Sequence, residues 1–69
     1  MNVAIVHNSE EKSKQVTKKL TTLLEQNQIQ IDNLQPELVI SVGGDGTLLS
    51  GFHRFNHLLN QVSFFGVDT

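Results

Sequence analysis

The chain has no cysteine among its 69 residues, a single proline and only five basic side chains. Without cysteine, neither a disulfide framework nor a thiolate metal site can brace it. Five Lys and Arg against seven Asp and Glu leave a net charge of −2 and no dense basic patch, so no nucleic-acid partner is expected. No apolar run approaches the ~18 residues of a membrane-spanning helix. The first residues also lack the basic segment and long apolar core of a secretory signal, so the cytoplasm is the expected compartment, with no membrane partner. Residues 1–69 make one domain at most, and a chain of this size buries only ~60 % of its unfolded surface.

What is present centres on Leu38 to Gly51. Leu38-Val39-Ile40-Ser41-Val42 is a nearly unbroken apolar run, the pattern of a parallel strand buried on both faces. Gly43-Gly44-Asp45-Gly46 follows, and an apolar helical pattern starts at once. A strand, a glycine turn and a helix in succession turn backbone N–H groups and the positive end of the helix dipole toward a ligand, and favour a phosphate there. Two familiar glycine motifs fail. No lysine follows Gly46, which excludes the Walker A loop. The dinucleotide fingerprint would use Gly44 and Gly46 but meets Leu49 where it needs Gly or Ala. Asp45 would repel an anion held by those amides and makes better sense facing a hydroxyl or a bound Mg²⁺. A carboxylate that takes a proton from an attacking hydroxyl, beside amides that hold a phosphate, is a phosphotransferase arrangement. The plainer alternative is a tight turn in which Asp45 caps the next helix.

Along the chain, Val3-Ala4-Ile5-Val6 reads as a first strand, with a turn at His7-Asn8-Ser9. Ser9 is the expected N-cap of a helix from about Glu10 to Gln26, with Glu10 and Glu11 in its first turn. Val16, Leu20 and Leu23 form its apolar face, Leu24 lies at the margin, and Lys14, Lys18 and Glu25 lie opposite. Ile29 and Ile31 alternate with polar residues and allow a brief edge strand before Pro36. The second helix is expected over about Thr47 to Leu59, with Leu48, Phe52, Phe55 and Leu59 as its stripe. Gly51 inside it marks close packing on a strand. His53 and His57 are four apart, but no carboxylate stands at ligand spacing, so they read as solvated surface and no metal site is assigned to them. Val62 to Val67 reads as a further buried strand with nothing after it to cover it. The expected fold is therefore α/β, a three-stranded parallel Rossmann-like βαβαβ sheet. It is expected to be the amino-terminal part of a larger two-domain protein; a small natural α/β domain is the alternative.

Gly43-Gly44-Asp45-Gly46-Thr47, between an apolar strand and Leu48-Leu49, resembles the signature of the NAD kinase family. Diacylglycerol, sphingosine and phosphofructokinases share it more loosely. Phe65-Gly66-Val67-Asp68-Thr69 is similar to the family's Gly-(Ile/Val)-Asn-Thr stretch, with Asp68 in place of the commoner Asn. The resemblance implies phosphorylation of the 2′-hydroxyl of the adenosine ribose of NAD to give NADP. It also implies ATP or polyphosphate as donor, a divalent cation such as Mg²⁺, and a homo-oligomer, dimer or tetramer. On this chain it makes Asp45 the proton acceptor and hydroxyl-positioning residue. Gly46 would let the backbone approach the substrate, Gly44 and Thr47 would shape the turn, and Leu49 would line the nucleotide pocket. The alternatives are a lipid or sugar kinase with the same signature and a non-catalytic nucleotide-binding regulatory domain.

Right-handed crossovers would gather the carboxyl ends of the parallel strands on one edge, where ligands of open α/β sheets bind. That edge collects His7-Asn8, Gly43 to Thr47, and Asp68-Thr69. Asp68 then either shares Mg²⁺ with Asp45, has its pKa coupled to Asp45, or caps a loop. His7 reads as a turn residue.

Overall fold

A computed structural model describes residues 1–69. Asn2–His7 forms β1, Glu11–Gln26 forms α1, Gln30–Ile31 forms β2, Leu38–Gly43 forms β3, Asp45–Arg54 forms α2 and Ser63–Asp68 forms β4, with a 3₁₀ turn at Asn56–Leu58. The strands make one parallel sheet in the order β2-β1-β3-β4. The expected α/β parallel architecture is present, and the brief segment at 30–31 adds a fourth strand on the outer side of β1. No helix is long and apolar enough to cross a membrane.

The pleat sends alternate residues of β3 to opposite faces. Val39, with Ala4 and Val6 of β1, packs on Phe55 beneath α2, and Leu58, Val62 and Phe64 close that side. Ile40 and Val42, with Val3, face α1 and meet Val16, Leu20 and Leu24. Burial on both faces is why Leu38 to Val42 is almost continuously apolar. Phe52 and Phe64 add an edge-to-face contact with ring centroids 4.7 Å apart, the favoured arrangement of aromatic quadrupoles.

Several boundaries differ from expectation. Helix α1 begins at Glu11 with Glu10 in the N-cap position and no side-chain cap, so Ser9 does not cap it. Asn8 acts instead: its Oδ1 accepts the Glu10 amide at 3.1 Å, an Asx turn that starts the helix one residue later. The sheet-facing row of α1 is Ser13, Val16, Leu20 and Leu24, at the 3.6-residue period, so Leu23 is rotated outward and is 55 % exposed. Helix α2 stops at Arg54 rather than continuing to Leu59. Phe55 leaves helical geometry at φ −108° and ψ 27° and is buried, with the Arg54 guanidinium over its ring at 5.7 Å. The 3₁₀ turn that follows brings Leu58 inward and leaves Leu59 exposed. The chain must reverse there to enter β4 beside β3, and a longer helix would overshoot. Gly51 is buried against β1 and β3, as expected; a Cβ placed on it would meet Val39 Cγ1 at 3.8 Å and Val6 Cγ2 at 3.9 Å.

Candidate functional site

β1, β3 and β4 end together, with His7 level with Val42 and Gly43 level with Asp68. Their carboxyl ends therefore present His7-Asn8, the glycine turn and Asp68-Thr69 along one edge. The turn from β3 into α2 is a single residue, Gly44. It is that short because Gly43 adopts φ +146°, a backbone region essentially reserved for glycine. Space also demands glycine at 43. A Cβ there would collide with Thr47 Oγ1 and lie 2.7 Å from Asn8 Nδ2. Thr47, itself buried, and Asn8 thus close over Gly43 and hold the turn. Gly44 and Gly46 behave differently, since a Cβ on either would meet nothing within 4 Å.

The helix N-terminus is open. Thr47 and Leu48 donate their amides to the Gly44 carbonyl at 3.0 and 3.2 Å. The amides of Gly44, Asp45 and Gly46 meet no protein acceptor. These are the orphan donors that every helix start leaves, and the dipole adds partial positive charge to them. Asp45 is the acidic residue of that first turn.

Gly44 separates two hollows. The first, about 150 Å³, is bordered by both Asp45 and Asp68, with Ser41, Leu48 and Gly66 around them. The second, about 380 Å³, is bordered by His7, Asn8, Glu10, Gly46, Thr47 and Ser50. The structure thus brings Asp45, Gly44, Gly46 and Thr47 together, and adds Asp68 on the hollow that Asp45 borders. Leu49 is 57 % exposed and borders neither hollow, whereas its neighbour Leu48 borders the first. His7 donates from Nδ1 to the Asn8 carbonyl at 2.8 Å, a local turn contact. His53 and His57 lie outside both hollows, and His57 falls in the 3₁₀ turn beyond the end of α2. No group of three or more His, Cys, Asp or Glu side chains gathers anywhere. A larger hollow, about 590 Å³, runs along the outer row of α1 past Lys18 and Lys19. All its walls belong to one helix, and it lies away from the glycine turn.

Sequence reasoning passed over Gly43 as a structural requirement, and Ser41 and Gly66 as walls of the acidic hollow. Ser41 had a legible signal, as the one hydroxyl in an otherwise apolar strand. Gly66 had none, because its place opposite Ser41 depends on the register of β4 with β3.

No family model matches the chain. Curated relatives do. A protein named NAD kinase from Enterococcus faecalis is 90 % identical over 69 residues, all of this chain. Over all 69 residues the chain is thus similar to a protein named NAD kinase. The NAD kinase of Pediococcus pentosaceus is 54 % identical, and that of Lactobacillus gasseri 46 %, each again over all of this chain. The chain spans 26 % of the length of each of these three NAD kinases. None of the three is named a lipid or sugar kinase or a regulatory domain, so those alternatives find no support among them.

Proposed function

We propose that these residues are the amino-terminal, nucleotide-binding part of an NAD kinase, an enzyme that transfers a phosphoryl group to the 2′-hydroxyl of the adenosine ribose of NAD and yields NADP. The observation that carries this is the 90 % identity, over the whole chain, to a protein of that name. The site geometry supports it, because a carboxylate and free amides stand side by side at one helix start, as transfer of phosphate to an alcohol requires.

In this scheme Asp45 accepts the proton of the 2′-hydroxyl while the ribose oxygen bonds to the terminal phosphorus of ATP and ADP leaves. The free amides of Gly44, Asp45 and Gly46 receive phosphate oxygens, and the bare Cα atoms at 44 and 46 let the ligand come close. Thr47 packs the turn, and Leu49 would meet the nucleotide from the exposed side of α2. ATP or polyphosphate would be the donor. The residues fit a divalent cation, since Asp45 and Asp68 border one hollow. Magnesium takes one or two carboxylates and completes its shell with water and substrate phosphates, so no third protein carboxylate is needed. Asp45 and Asp68 would hold it, and when bound the cation would neutralise charge on the phosphoryl oxygens. By the same resemblance the enzyme would be a cytoplasmic homo-oligomer, a dimer or tetramer.

The test is to incubate the complete protein with ATP, Mg²⁺ and NAD and to follow NADP with an NADP-specific dehydrogenase. Steady NADP formation that Asp45→Asn abolishes is the expected result. ATP consumed only when a lipid or sugar is supplied would replace the substrate, and no turnover with any acceptor would replace the activity.

A further inference from the structure

Ser13 stands in the sheet-facing row of α1, where Val16, Leu20 and Leu24 supply alkyl groups, and it is fully buried. A hydroxyl in that row is costly unless it is bonded. Its partner comes from the other end of the chain: Ser13 Oγ and Thr69 Oγ1 are 3.0 Å apart, across 56 positions of sequence. Thr69 is held a second time, by its own amide, which donates to the carbonyl of Gly43 at 3.3 Å. Gly43 is the positive-φ residue that Thr47 and Asn8 enclose. Thr69 follows Asp68 directly, and Asp45 lies two residues beyond Gly43, so both carboxylates of the acidic hollow sit within two residues of this linkage.

We infer that Ser13 is a positioning residue, which sets Asp68 on the hollow that Asp45 borders, through the Ser13–Thr69 hydrogen bond. This rests on the kinase reading above, since Asp68 matters only if the acidic hollow takes part in the reaction. β4 pairs with β3 from Leu38–Ser63 to Gly43–Asp68, so Asp68 stands at the last rung of that ladder. The α1 hydroxyl adds a restraint one residue past that rung, from an element outside the sheet. The β3–β4 ladder sets the height of Asp68 on the sheet edge, the Ser13–Thr69 bond fixes the backbone that follows it, and ångström displacements of reacting groups cost up to ~10²-fold in rate.

The experiment measures NADP formation by the complete protein carrying Ser13→Ala, Thr69→Val or Thr69→Ser, each also combined with Asp68→Asn. Circular dichroism and thermal melts verify folding. Ser13→Ala and Thr69→Val are expected to lower kcat ~10-fold and to raise the Mg²⁺ concentration needed for half-maximal rate. Thr69→Ser, which keeps the hydroxyl, should stay near the unaltered rate. In the Asp68→Asn background Ser13→Ala should cost little more, because residues that act through one another are not additive. Full-rate turnover by Ser13→Ala, or a loss that simply multiplies with that of Asp68→Asn, would overturn the positioning role and leave the kinase reading standing. If Ser13→Ala fails to fold, the contrast between Thr69→Val and Thr69→Ser decides the same question. Absence of NADP from the unaltered protein would instead overturn the kinase reading, and the role of Ser13 with it.

Discussion

Two strand-to-helix turns stand side by side at the carboxyl edge of this sheet, and they solve the same problem in opposite ways. Between β1 and α1 the chain uses Asn8, Ser9 and Glu10. There the Asn8 side chain accepts the Glu10 amide, while the Asn8 amide reaches the Val42 carbonyl at 3.4 Å. That turn is closed over by its own Asn8 side chain, although the Glu11, Lys12 and Ser13 amides that follow meet no protein acceptor either. Between β3 and α2 only Gly44 intervenes, Gly43 takes up the positive φ that so short a turn needs, and three successive amides are left free. The first turn is closed and serves the second, because Asn8 also walls Gly43. Helix starts are generic anion sites; what separates these two is that the bare Cα atoms at 44 and 46 leave the α2 amides approachable, whereas the Asn8 side chain lies over the α1 entry.

Breaking the open turn chemically should have the largest effect. Asp45→Asn keeps shape and removes the proposed proton acceptor, so under the proposed activity kcat for NADP formation should fall by ~10²–10⁴, the usual contribution of a general base. Turnover near normal would remove Asp45 from the chemistry and equate the two turns. Breaking it sterically comes next. Gly43→Ala forces a side chain into φ +146° and against Thr47 and Asn8, at ~1–3 kcal/mol for the backbone alone. Thermal or denaturant unfolding should show that loss, together with falling activity, whereas Gly46→Ala, with open space around it, should leave the melting temperature unchanged while raising KM. Equal melting losses for the two would mean that ligand access does not distinguish them.

The closed turn is expected to be worth less. Asn8→Ala removes the acceptor of the Glu10 amide and should cost ~0.5–2 kcal/mol, comparable with loss of a helix cap. Its unfolding curve should shift without any change in the pH profile of kcat. The smallest effect concerns a third turn of the closed type, where Asp32 Oδ1 accepts the amides of Leu34 at 2.9 Å and Gln35 at 3.1 Å. Those two bonds hold the Asp32 carboxyl below its ordinary pKa, slightly opposed by desolvation. Because the folded value is the depressed one, the stabilisation is present above the ordinary aspartate pKa and is lost as pH falls through the folded value. Unfolding measured from neutral pH down through that range should lose a small pH-dependent component in Asp32→Asn. An identical slope in the variant would mean that the two amides do not discriminate between the protonation states.

The asymmetry between the turns also explains what was legible beforehand. Leu38 to Val42 announced a buried parallel strand, and the glycines after it announced a turn with free amides, because both are properties of consecutive residues. The closed turn was misread at Ser9, since Ser9 and Asn8 are both good cap formers and only the path of the chain decides which one bonds. Leu23 and Leu24 are equally apolar neighbours, and their exchange of roles depends on how α1 rolls on Val3, Ile40 and Val42. The end of α2 at Arg54 and the pairing of Gln30–Ile31 with β1 follow from where other strands already lie.

The sequence by itself determined the α/β class, the three main strands, and the carboxyl edge as the place for the candidate site, with the glycine turn and Asp45 on it. Each of these follows from local periodicity or from backbone options open to glycine alone. Tertiary structure decided what needs two distant segments at once: Asp68 on the hollow that Asp45 borders, Ser41 beside Gly66, Asn8 and Thr47 enclosing Gly43, and Ser13 bonded to Thr69. Those pairings are fixed by strand register and by burial that satisfies polar groups. No residue carries that information in its own neighbourhood of the chain.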